Sequence, residues 1–376
     1  MNFASELIAF TVGAILLMSA SVSTSVGRVP PVRDPNKATP LPLTWWVLTL
    51  SVTLVTARIY ASREVYGDTE VYHSNLLALQ VIGYSAGKAW FFNACAWFIL
   101  RFASVDATLT LTTIAVCFGV LLGIARYMKD YAGSLAASAV MFTSFYCIGI
   151  QSNILTQGLA IALLLSFLPE LLFAKKNWRT AVKTAVICIL AEGFHTSVIL
   201  VFVPCLLVAY LIRFNVRIAI GIAVAATLVS AFGGGINQLP VLGNILIRAD
   251  SFYSGYFGSV NDDRYYRVGF RGDFTTFVWF YALWGIYVWA KLGLKDRWYE
   301  RVLALYLICM SVFLCSFNIP FSDRIGLYGF VLIPVLVCYP LGRIKGLVTT
   351  DARLLFHLYI GVNFVFTFFY FGRYWF

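Results

Sequence analysis

Residues 184–212 read TAVICILAEGFHTSVILVFVPCLLVAYLI. Apart from Glu192, His195 and a few small polar residues, the run is apolar at every position and on every face of any regular element. A strand in a membrane barrel would alternate apolar and polar side chains over about ten residues. A segment apolar on all sides satisfies its backbone in hydrocarbon only as a helix. This stretch therefore decides the fold: membrane-spanning helices, with two ionisable side chains where the apolar pattern is interrupted.

The same pattern recurs along the chain. Hydrophobic residues fill 60% of the 376 positions and charged residues only 12%, in apolar runs of roughly 17–22 residues. The expectation is an all-α, polytopic integral membrane protein of about 12–14 transmembrane helices, forming a single transmembrane domain over residues 1–376. The first run, ELIAFTVGAILLMSASVSTS (6–25), reads as a retained helix, because Met1–Ser5 has no lysine or arginine and Glu6 follows. All eight cysteines lie in apolar runs without a C-x-x-C pair, as expected of reduced packing residues. No internal repeat, soluble domain or low-complexity segment is visible.

The net charge is +11, but the basic residues form no single face, which argues against nucleic acid as a partner. They sit in short loops: Arg28, Arg33 and Lys37; Arg126 and Lys129; Lys175, Lys176, Arg179 and Lys183; Arg213 and Arg217; Lys291, Lys295, Arg297 and Arg301; Arg343, Lys345 and Arg353. These hold 18 of the 28 basic residues, and the positive-inside rule assigns them to the cytoplasmic face. Helices near 132–150, 153–174, 180–194, 196–212, 217–234, 274–290, 300–317, 325–341 and 354–371 then alternate consistently. Gln151 to Asn153, the Glu192/His195 turn, the loop 235–273 and Ser322 to Arg324 fall on the outer face.

One region breaks the alternation. With 24–39 inside, 60–72 is outside, and a single crossing at 88–104 would bring Arg126 and Lys129 outside too. A re-entrant or extra short helix in SNLLALQVIGY (74–84) restores the count, so residues 60–87 are expected to form an outer loop carrying such a helix.

Three features carry candidate chemistry. The segment 180–194 makes a helix of about 22 Å, short for a full crossing. Glu192 and His195 are thereby expected at or just below the outer surface, with a bend at Gly193 and His195 starting the next helix. Ionisable groups at membrane depth line cavities and mark function; the plain alternative is that neighbouring helices satisfy both. The second feature is the outer loop 235–273, where Arg248, Arg264, Arg267 and Arg271 stand with no lysine. Guanidinium forks suit bidentate binding of phosphate oxygens, and the loop's Tyr265 and Tyr266 suit sugar rings or the headgroup zone. Its own aspartates (Asp250, Asp262, Asp263 and Asp273) offer the alternative of internal neutralisation. The third comprises YGDTEVY, with Asp68 and Tyr72, and NIPFSDRIGLY, with Asp323, Arg324 and Tyr328.

Glu70-x-x-His73 and Glu192-x-x-His195 together match half of a di-metal carboxylate pattern. The other half needs two further inward glutamates. Only Glu6, Glu64, Glu170 and Glu300 remain, Glu300 falls on the inner face, and Glu70 reads as part of a polar loop. No metal and no other cofactor is assigned.

NILTQGLAIALLL (153–165), followed by LAEGFHTSVIL (190–200), resembles the central signature of EpsG-type membrane proteins, a branch of the Wzy O-antigen and exopolysaccharide polymerases. That signature runs Asn-x-x-Arg-Gln-x-x-Ala, then Ala-x-x-Phe-His-x-Ser. Asn153, Gln157, Ala160, Ala191, Phe194, His195 and Ser197 match it. GDTEVY is similar to the family's early Gly-Thr-Asp-x-x-x-Tyr loop and DRIGLY to its late Arg-x-x-x-Tyr segment. These carry over Asp68, Tyr72, Arg324 and Tyr328. Thr156 stands where the family usually has arginine.

The resemblance implies a fold like that of membrane glycosyltransferases that use lipid-linked donors. It implies polymerisation of undecaprenyl-diphosphate-linked oligosaccharide repeats at the outer (periplasmic) face of the bacterial inner membrane, independent of metal. Membrane lipids and a chain-length regulator protein would be the surroundings and the partner. His195, Asp68 and Glu192 are then the candidate bases. Arg264, Arg267, Arg271, Arg248 and Arg324 would bind diphosphate, and Asn153, Gln157, Tyr72, Tyr265, Tyr266, Asp323 and Tyr328 the sugars. An O-antigen ligase would share these features, and a lipid-linked oligosaccharide flippase or exporter is the rival of another class; polar features gathered on one face favour chemistry over transport.

Overall fold

The computed structural model describes residues 43–61, 68–87, 89–125, 127–128, 131–142, 144–152, 154–172, 178–238, 268–291, 296–319, 322–340, 358–359, 361–363 and 365–367. The expected first helix, the proline-rich loop 24–39 and the inner loop 343–353 lie outside them. Among the described residues every regular element is helical. Three helices among the described residues are long and apolar enough to cross a membrane: Val105–Ala125, Leu155–Leu172 and Arg297–Cys315. The chain divides into two compact units, one formed by Met1–Thr196 with Val337–Phe376, the other by Ser197–Leu336.

The first unit contains α1 (Leu43–Ala61), α2 (Asp68–Ile82), α3 (Trp90–Ile99), α4 (Val105–Ala125), α5 (Tyr131–Phe142), α6 (Phe145–Ser152), α7 (Leu155–Leu172) and α8 (Trp178–Phe194). Its spine is the α4/α7 pair. A Cβ on Gly119 would lie 2.9 Å from Ala162 Cβ, one on Gly123 2.7 Å from Leu165 Cβ, and one on Gly158 2.7 Å from Val116 Cγ1. Gly119-x-x-x-Gly123 thus removes side chains where two backbones approach, the small-residue packing that replaces the hydrophobic drive between helices in lipid. The matched positions advance together along both helices, so α4 and α7 run parallel. Leu76 and Leu79 of α2, Phe92 and Ala96 of α3, and Val105 of α4 share a buried cluster onto which Leu159 and Phe194 pack.

Two expectations change here. DTEVY (68–72) is not loop: Asp68 opens α2, with Asp68 and Glu70 in its first turn, where carboxylates favour the positive end of the helix dipole. Glu70 and His73 are therefore helical, one turn apart. The expected single helix at 132–150 is instead α5 and α6. Ser144 Oγ donates to the Val140 carbonyl and its backbone N–H to Met141 O at 3.1 Å, local bonds that compete with the regular ladder.

The second unit contains a π-helical turn (Val198–Phe202), α9 (Val203–Leu211), α10 (Val216–Ala231), α11 (Gly272–Lys291), α12 (Arg297–Cys315) and α13 (Ser322–Phe330), and leads into α14 (Ile333–Cys338). Helix α12 is its buried centre. Its N-terminus is capped by Asp296, whose side chain accepts from Trp298 N at 2.8 Å. Tyr306 donates to Val278 O at 2.8 Å and Tyr299 to Leu336 O at 3.2 Å. Phe274, Phe277, Phe313 and Phe330 meet mostly edge to face, the arrangement ring quadrupoles favour. The expected helix 325–341 is broken at Val331 and Leu332, because Pro334 has no N–H for the Phe330 carbonyl.

Candidate functional site

The polar residues of the first unit gather where α2, α7 and α4 begin and α8 ends. The Tyr72 hydroxyl lies 3.1 Å from Thr156 Oγ1, joining α2 to the first turn of α7. The Tyr72 ring packs edge-on against Phe92 at 6.2 Å between centroids. Gln157, next along α7, is fully buried at 0% exposure. His73 Nε2 stands 3.6 Å from Asp106 Oδ1 in the first turn of α4. At the far end of α7, roughly 21 Å along the axis from Thr156, Glu170 pairs with Lys183 of α8 at 3.6 Å. The basic stretch at the start of α8 and the polar residues around Thr156 thus lie at opposite ends of this bundle.

Helix α8 brings in the ionisable pair. Its regular course runs to Phe194, and His195 N still donates to Ala191 O at 3.0 Å. The interruption therefore falls at His195 and Thr196, not at the expected Gly193. Gly193 serves close approach instead: a Cβ there would lie 2.7 Å from Phe91 Cβ and 2.7 Å from Trp90 Cε2. With no side chain in the way, the Trp90 indole N–H donates to Glu192 Oε2 at 3.2 Å. Phe91 packs on Phe194 at 4.8 Å between centroids. Glu192, Phe194 and His195 are all partly buried. Trp90 and Phe91 carry no chemical motif, so only the packing brings them to attention.

In the second unit, Ser197 Oγ and the Tyr328 hydroxyl are 2.6 Å apart and buried, and the Tyr328 ring packs against Phe202 at 5.7 Å. Tyr328, expected to contact substrate, is 2% exposed with its hydroxyl held by Ser197. The π turn that carries Phe202 precedes Pro204, which cannot donate to the Leu200 carbonyl, and such turns recur at functional sites. Asp323 and Arg324 are partly buried in the first turn of α13. Arg271 is 7% exposed; its guanidinium pairs with Asp273 at 3.3 Å and lies 4.1 Å over the Phe274 ring. The backbone just before it is fixed by Gly269 N donating to Phe317 O at 2.9 Å, with Gly269 at φ 107°, a conformation that favours glycine. Asn153, Arg248, Arg264, Tyr265, Tyr266 and Arg267 lie outside the described residues.

The start of α2 is bonded to the start of α7 through Tyr72 and Thr156, and the end of α8 to α3 through Glu192 and Trp90; α2, α7 and α8 coincide with the segments that resemble a polymerase family. The model of the EpsG family matches residues 45–376. The chain belongs to the EpsG family. EpsG is a Wzy-type polymerase family, and the match spans every candidate residue from Asp68 to Tyr328. No curated protein and no solved structure gives a significant match to the chain. This EpsG protein departs from the family signature at Thr156, and the structure gives that threonine a partner of its own, Tyr72.

Proposed function

We propose that this EpsG protein polymerises oligosaccharide repeat units carried on undecaprenyl diphosphate, working at the outer face of a bacterial inner membrane. The observation that carries the reading is the Tyr72–Thr156 bond between the starts of α2 and α7, the helices that also carry Asp68 and Gln157, with Phe194, the neighbour of His195, packed on the cluster that α2 shares, in a chain matched to the family over 45–376. The separation of this end from Lys183 supports the outward assignment, since basic segments stay on the cytoplasmic side.

In the proposed reaction the acceptor sugar's hydroxyl oxygen bonds to the anomeric carbon of the donor glycan, and its proton passes to His195. The bond from that carbon to the phosphate oxygen breaks, and its electron pair remains on departing undecaprenyl diphosphate. A neutral imidazole suits the proton's destination because its ordinary pKa lies close to physiological pH. Charge grows on the diphosphate as the bond breaks, so arginines placed there stabilise the transition state more than the ground state. Arg264, Arg267 and Arg248 would do this from the outer loop, with Arg271 at the loop's anchored end and Arg324 on α13. Asn153, Gln157, Tyr265, Tyr266 and Asp323 would orient sugar hydroxyls, and Asp68 would orient the acceptor beside Tyr72.

The test is reconstitution of the purified protein in proteoliposomes with lipid-linked repeat units extracted from a strain lacking the gene. A ladder of glycan lengths is expected. Single transfer to a lipid A core would make the protein a ligase, and movement of the carrier across the bilayer without chain growth would make it a transporter.

A further inference from the structure

Glu192 has no part in the mechanism above, and the family signature does not call for a carboxylate between Ala191 and Phe194. A carboxylate at membrane depth is expensive unless something compensates it. Among the described residues its hydrogen-bond partner is the Trp90 indole N–H at 3.2 Å, and no cation lies within ion-pair distance. A carboxylate offers about four acceptor sites, so this bond fixes its orientation and leaves most of its accepting capacity open.

The walls around it are aromatic. Trp90 and Phe91 stand 5.5 Å apart with planes inclined at 50°, and Phe91 and Phe194 stand 4.8 Å apart at 58°. All three rings are partly exposed. A flat apolar face beside a fixed acceptor matches a pyranose ring, which has an apolar face of C–H groups and a rim of hydroxyl donors. Glu192 and His195 are three residues apart, and the helical bond from His195 N to Ala191 O keeps them on one face. A sugar held by Glu192 is therefore held beside the imidazole. A carboxylate repels a diphosphate, so this position selects the sugar that offers a hydroxyl over the sugar that carries the leaving group.

We propose that Trp90 and Glu192 form the acceptor-sugar subsite of this protein, the carboxylate accepting hydrogen bonds from uncharged ring hydroxyls and the indole stacking on the ring. The inference rests on the polymerase reading above and specifies what one corner of that site recognises.

The experiment uses the full-length protein in proteoliposomes, with extracted lipid-linked repeat units as donor. Free repeat-unit oligosaccharide, released from the lipid by mild acid, serves as an acceptor that cannot donate. Glu192→Ala is expected to raise KM for the free acceptor about tenfold or more while kcat stays within about threefold. Glu192→Gln, which keeps one accepting oxygen, and Trp90→Phe, which keeps a flat ring, are expected to raise it by less. Both are close in shape to the native residues, so they report on the subsite should Glu192→Ala not fold.

A fall in kcat at unchanged KM in Glu192→Ala overturns the subsite and makes Glu192 a base. Unchanged kinetics in both Glu192→Ala and Trp90→Phe also overturns it. Glu192→Gln as impaired as Glu192→Ala overturns recognition of uncharged hydroxyls in favour of a cationic amino sugar. Absence of any ladder from the native protein defeats the polymerase reading, whereas a native ladder with unaltered variants defeats the subsite alone.

Discussion

The Tyr72 hydroxyl and Thr156 Oγ1 are 3.1 Å apart, and they join the opening turns of two helices that begin 87 residues apart in the chain, at Asp68 and Leu155, Tyr72 standing one turn into the first. Thr156 occupies the place where the family signature usually has arginine, and it is nearly buried at 6% exposure. A guanidinium would not fit there without displacing Tyr72. The hydroxyl pair fixes the start of α7 against α2, and in the proposed reaction the phosphate-binding charge comes from arginines elsewhere.

Tyr72→Phe and Thr156→Val should each weaken this junction, and a double-mutant cycle should give a coupling of about 0.5–1.5 kcal/mol, the range for hydrogen bonds between membrane helices. Thermal denaturation in detergent measures it. A coupling near zero would show that the two hydroxyls do not act as a pair. Thr156→Arg should destabilise more than Thr156→Val, because a long cation replaces a buried hydroxyl.

The α4/α7 spine should tolerate no added volume at its glycines. Gly123→Leu places side-chain atoms where Leu165 already stands 2.7 Å from the added Cβ, and overpacking of this kind costs roughly 1–3 kcal/mol or more. A lowered melting temperature is expected. Gly221→Ala on α10, where nothing lies within 4 Å of the added Cβ, should leave the melting temperature unchanged or raise it.

The helical character of the chain was legible because apolar runs such as 184–212 leave no alternative, and most helices fall where those runs lie. Helix breaks were not, because Ser144 and Pro334 interrupt the backbone without interrupting the hydrophobic pattern. The start of α2 carried a readable sign in Asp68 and Glu70, acidic residues in a first turn, but polarity at that point reads equally as loop. Gln157 and Ser197 stood out through the resemblance to the family signature, and His195 through that resemblance and the interrupted apolar run. Trp90 was not, since an indole at a helix start is unremarkable until Gly193 lets it reach Glu192. The pairing of Ser197 with Tyr328 spans 131 residues, and no local pattern reports it.

That pairing has its own signature on substitution. Ser197→Ala or Tyr328→Phe breaks this buried hydroxyl pair at a cost of about 1–3 kcal/mol, whereas removing both hydroxyls should recover part of the loss. Denaturation of the second unit's tryptophans, followed by fluorescence, reads all three variants. Equal and additive losses would mean that the hydroxyls act independently.

Arg271 separates two roles that the outer arginines share in the proposed reaction. Its guanidinium is buried against Phe274 and paired with Asp273, so it helps to hold the start of α11 as well as carrying charge. Arg271→Ala breaks the pair with Asp273 and removes the plane that covers the ring, and is expected to cost about 1–3 kcal/mol, less than a fully buried pair because Asp273 is 32% exposed. Arg271→Lys should recover little of this, since a compact ammonium does not lie flat on an aromatic face. Arg264→Ala and Arg267→Ala should instead leave the melting temperature unchanged and lower the polymerisation rate about 10–1000-fold, as loss of a donor to a developing oxyanion does. Measuring melting temperature and ladder formation on the same preparations decides between them. Loss of stability in all three variants would make the arginines structural, and unchanged ladders in Arg264→Ala and Arg267→Ala would remove them from the diphosphate.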